Sequence, residues 1–148
     1  MKQKTEIRRT IICLSAPASK GKTLSIRKLY EKLGGVFNTD EHDFVGCIGY
    51  GEYKIGCISY GDPGTSPEES IRKLIDDEDC DIIVSASRSY GDTVDEVKDL
   101  AQKRNCNYIR FSPIYMCEEA ENILNDECHE TNINFILEII HQIIAGKI

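Results

Sequence analysis

Short apolar runs alternate with stretches of helical periodicity along the chain, and this alternation limits its fold more than any other feature. Ile11-Ile12-Cys13-Leu14 is continuously apolar, as expected of a strand buried on both faces. Asp81-Ile82-Ile83-Val84-Ser85 reads the same way. Tyr108-Ile109-Arg110-Phe111 reads as the last strand, nearer a sheet edge because Arg110 interrupts it. Between these runs, Leu24, Ile26, Leu29, Tyr30 and Leu33 fall at helical spacing until Gly34-Gly35 stops the helix. Ser66-Pro67-Glu68-Glu69 combines a capping Ser, a first-turn Pro and a third-position Glu, and Ile71, Leu74 and Ile75 follow as a buried stripe. Thr93 and Glu96 suggest a second capping box, with Val94, Val97, Leu100 and Ala101 turned inward. From about residue 131 to Gly146, Ile133, Ile136, Leu137, Ile140, Ile143 and Ile144 form one helical stripe. Strands separated by helices predict α/β architecture: an open, mostly parallel sheet of about five strands with helices on both faces.

One pair departs from the parallel scheme. Residues 44–50 (FVGCIGY) and 53–60 (YKIGCISY) are both strand-like, and Gly51-Glu52 between them suits a tight hairpin. The expected arrangement sets 11–15 inside the sheet, with 53–60 and 81–85 as its neighbours.

Composition narrows the function classes. At 148 residues and 16.7 kDa the chain suits one domain over 1–148, with residues 1–9 as a flexible basic tail carrying Lys2, Lys4, Arg8 and Arg9. The net charge of −7 argues against nonspecific binding to nucleic acid or to an anionic membrane. No stretch approaches the roughly 20 apolar residues of a membrane span, and the first ten residues lack the apolar core of a secretory signal. The seven cysteines are odd in number and include no C-x-x-C pair, which predicts reduced thiols in a cytoplasmic protein. Cys13, Cys47 and Cys57 lie in apolar runs and read as core filler. Cys128-His129 has no second pair at ligand spacing, so no zinc site is expected. Phe135 and Ile139 widen the C-terminal stripe beyond what one sheet face needs; core packing explains this first, a homodimer contact second.

The segment carrying the most chemistry is Ala16-Pro17-Ala18-Ser19-Lys20-Gly21-Lys22-Thr23. It follows an apolar strand, opens an amphipathic helix, and fits G-x-x-x-x-G-K-[ST] with Ala16 in place of the first Gly. In this the chain resembles the P-loop containing nucleoside triphosphate hydrolase superfamily. The resemblance implies a three-layer P-loop NTPase-like fold that binds ATP or GTP with Mg²⁺. It places Ala16, Ser19, Lys20, Gly21, Lys22, Thr23 and Leu24 around the phosphates, where loop and helix N–H groups form an anion cradle. Lys22 would sit at the β- and γ-phosphates, and Thr23 would offer its hydroxyl to the metal. Ala16 costs about 1 kcal/mol if its position demands positive φ.

A superfamily site also places an acidic residue at the end of a nearby strand, aimed at Mg²⁺. Asp62, in Asp62-Pro63-Gly64-Thr65, is one candidate, against the plain reading of an Asp-Pro-Gly turn. Asp40 and Asp43 in the acidic loop after the first helix are the second, with Thr39 as a switch-type residue. Arg88, in the loop after the 81–85 strand, would stabilise transferring phosphoryl charge. No N-K-x-D follows residue 85 or residue 111, which favours ATP over GTP. Three function classes follow: a slow or partner-coupled NTPase, a small-molecule or nucleotide kinase, and a non-catalytic nucleotide- or phosphate-binding module. The 93–104 helix runs almost directly into the 107–111 strand, so no lid insertion is available there, and this ranks the partner-coupled NTPase ahead of the kinase.

Overall fold

The computed structural model describes residues 6–15, 22–36, 44–59, 67–87, 92–113 and 118–147, with backbone alone at 22–23, 67, 92–94 and 118–126. In chain order the described elements are β1 (Thr10–Ser15), α1 (Lys22–Lys32), β2 (Val45–Tyr50), β3 (Tyr53–Ile58), α2 (Pro67–Asp76), β4 (Ile82–Ser87), α3 (Asp92–Lys103), β5 (Asn107–Phe111) and α4 (Glu118–Ile144). The strands form one sheet in the order β2-β3-β4-β1-β5. β1 pairs in parallel with β4 and β5, β3 pairs in parallel with β4, and β2 pairs antiparallel with β3.

Burial follows position in the sheet. Every residue of β1 and of β4 is buried, because helices cover both faces of these inner strands. β5 and β2 lie at the edges and are only partly covered. On one face, Ile12, Leu14, Ile55, Val84 and Ala86 pack against Ile26 and Leu29 of α1 and against Ile133, Ile136 and Ile140 of α4. On the other, Ile11, Ile58 and Ile83 pack against Ile71 and Leu74 of α2 and Val97 and Leu100 of α3. Alternate residues of each strand thus serve opposite cores, as a period of two requires. Among the described residues no helix is long and apolar enough to cross a membrane.

The α/β class, the mostly parallel five-stranded sheet, the 51–52 hairpin turn and the edge position of β5 agree with expectation. Four details differ. The 53–60 strand is not a neighbour of β1, since β4 lies between them. β3 and β4, linked through α2, pair directly, whereas β4 and β5, linked through α3, flank β1 on its two sides. The strand read as 81–85 runs on to Ser87. The last helix begins at Glu118, not near 131; the apolar stripe that marks it in the sequence lies in its C-terminal half. Leu24 is 41% exposed and lies outside the buried stripe of α1.

Helix α1 ends where Gly34 takes φ 105°, a conformation that an L side chain rarely adopts. In the segment read as a basic tail, Arg8 Nη2 donates to Asn105 Oδ1 at 2.9 Å. Arg9 Nε donates to the Cys80 carbonyl at 2.7 Å, and Arg9 Nη2 meets Asp79 at 2.6 Å.

Candidate functional site

β1 and β4 are adjacent and parallel, yet their chains leave toward opposite faces. After β1 the chain enters α1 on the α1/α4 face; after β4 it enters α3 on the α2/α3 face. This is a topological switch point, the place where open α/β sheets commonly hold ligands. Residues 16–21 link Ser15 to Lys22 in the chain. The motif's first six residues lie outside the described residues, as do Asp40, Asp43, Asp62 and Arg88, and the Lys22 and Thr23 side chains. The backbone of α1 begins at Lys22, so Lys22, Thr23 and Leu24 form its first turn, where N–H groups have no acceptor within the helix.

A buried polar chain runs along the strand ends. Ser15 and Ser87 are in register; Ser87 Oγ donates to Ser15 Oγ at 3.1 Å, and Cys13 Sγ donates to Ser87 Oγ at 3.2 Å. Arg110 Nε donates to Ser15 Oγ at 2.9 Å from the neighbouring strand β5. These contacts fix the last residue of β1 from both sides, immediately before the motif. The Arg110 guanidinium also brings positive charge to the strand ends. Tyr108, beside Cys13 on the same face, has its phenol pushed up by burial first and by the Cys13 thiol second.

The first turn of α1 is anchored from behind. Ser25 Oγ and His129 Nδ1 are 2.8 Å apart, both groups buried, tying α1 to α4 two residues beyond Thr23. Farther along, Lys32 pairs with Glu130. His129 thus belongs to a helix–helix contact, and Cys128 beside it is buried. Among the described residues no group of three or more His, Cys, Asp or Glu side chains is gathered to hold a metal ion.

Sequence reasoning singled out Lys22 and the strand–loop–helix context and missed the supporting side chains. Ser15 and Ser87 carry no signal of their own; Arg110 stood out only as a charge inside an apolar strand. Asp62 follows β3, and β3 is separated from β1 by β4. Arg88 is the first residue past the end of β4. In comparisons with known proteins the chain matches no protein-family model, no curated protein and no solved structure.

Proposed function

We propose that the chain binds a nucleoside triphosphate, ATP in preference to GTP, with Mg²⁺, and acts as a slow or partner-coupled NTPase. The observation that carries this reading is the junction itself. A buried inner strand ends at Ser15, a helix opens at Lys22, and the six residues between them supply most of the A-x-x-x-x-G-K-T pattern at the switch point. Phosphate bound there meets first-turn N–H groups and the positive end of the helix dipole.

In this reading Lys22 neutralises charge between the β- and γ-phosphates and Arg88 meets charge that develops on the transferring group. Thr23 and Asp62 are the residues that would hold Mg²⁺, which supplies charge neutralisation between the phosphates. Neighbouring strands lie about 4.8 Å apart, so the end of β3 is about 10 Å from β1.

The test is calorimetric titration with MgATP. The wild-type chain should bind, and Lys22→Ala should weaken binding by about tenfold or more through loss of a charge-assisted contact. Equal affinity in the two proteins would overturn the phosphate-loop reading.

A further inference from the structure

Cys47 and Cys80 meet on the face of the sheet that packs against α2. Their Sγ atoms are 3.2 Å apart. Cys47 is half-buried on β2, opposite Gly56 of β3 in the antiparallel register. Cys80 is fully buried in the turn between α2 and β4. Gly56 makes the meeting possible: a Cβ there would stand 2.8 Å from Leu74 Cδ1 and 3.2 Å from Cys80 Sγ. The backbone of Cys80 is held at both ends, its N–H donating to the Leu74 carbonyl at 3.0 Å and its carbonyl accepting from Arg9. A groove of about 570 Å³ runs between β2 and α2, lined by Cys47 together with Ser70, Lys73 and Leu74. Small reagents therefore reach Cys47 first. Burial, and then the neighbouring Cys47, push the Cys80 thiol up, and Cys47 is the sulfur of the pair that lines the groove.

We propose that Cys47 and Cys80 are a redox-active dithiol, which a hydroperoxide entering the groove converts to an intramolecular disulfide. The Cys47 thiolate attacks the terminal peroxide oxygen; the O–O bond breaks, the alcohol leaves with a proton, and Cys47 becomes a sulfenic acid. The Cys80 sulfur then attacks the Cys47 sulfur; the S–O bond breaks and hydroxide leaves with the Cys80 proton as water. Two thiols lose two electrons, and the hydroperoxide is reduced to alcohol and water. The new bond ties edge strand β2 to the α2–β4 turn and closes the loop 47–80, which should raise Tm by on the order of 10 °C. This device is independent of nucleotide.

The experiment exposes the full chain to hydrogen peroxide, denatures it in an alkylating agent and maps the peptides. The thiol count should fall by two from seven, a Cys47–Cys80 linked peptide should appear, and dithiothreitol should restore both thiols. In Cys80→Ser, dimedone should trap a sulfenic acid at Cys47. An unchanged thiol count, or a linkage between other cysteines, would overturn the proposal; the wild-type measurement decides even if the variant does not fold.

Discussion

Cys57 shows how one buried side chain sets a pH limit for the molecule. It is fully buried in the sheet, and its thiol is pushed up from 9.0 to about 12, by burial first and by Cys47 second. The folded chain holds this proton more tightly than the unfolded chain. The stability it lends is therefore whole below about pH 9 and drains away as pH rises toward 12. The unfolding free energy should fall by about 1.4 kcal/mol per pH unit for this group across that window. Urea unfolding at pH 8 to 11 should show the decline, and Cys57→Ala should flatten the slope by that amount. Cys80, Cys106, Tyr30 and Tyr108 are raised as well, chiefly by burial, and steepen the same decline. At the helix contact, Ser25→Ala leaves His129 Nδ1 without its buried hydroxyl partner, and should cost about 1–3 kcal/mol in chemical denaturation. Neither effect is legible in the sequence. Cys57 reads there as an apolar filler, and Ser25 and His129 are joined only by the packing of helices far apart in the chain.

Among the elements, those with strong periodicity were legible and their partners were not. The apolar run at 11–14, the Ser66-Pro67 helix start and the Gly34 stop rest on local physics, and the structure forms each of them within a residue or two. Strand order depends on crossovers, which no local pattern records, so β4 displaces β3 from the side of β1. The first half of α4 is polar and falls outside the apolar stripe, which is why its start near Glu118 was not visible. The half that was visible carries the packing: Ile136 is fully buried against the sheet core. Ile136→Ala should therefore cost about 2–5 kcal/mol, read from urea unfolding. A cost below about 1 kcal/mol would mean that α4 does not cover the sheet as described.

At the scale of the whole molecule, one sheet with helices on both faces leaves a single arrangement in which adjacent inner strands part toward opposite faces: β1 and β4. The candidate site was legible to the extent that the motif sits at the end of a buried strand. The switch point was not, because it depends on which strand lies beside β1. No lid separates α3 from β5, which are joined by residues 104–106 alone. On the proposed partner-coupled reading, ATP turnover by the purified chain should stay well under the ~10 s⁻¹ typical of enzymes. A steady-state phosphate-release assay checks this, and rapid turnover without a partner would favour the kinase-like alternative.

The proposed function places triphosphate at the carboxyl ends of β1 and β4. Amide chemical shifts followed by NMR during MgATP titration test it most directly. The largest changes should fall at residues 16–24, with further changes at Ser15, Ser87 and the residues just after β4. Saturable binding whose changes cluster elsewhere, such as the groove between β2 and α2, would contradict it, as would no change at millimolar nucleotide.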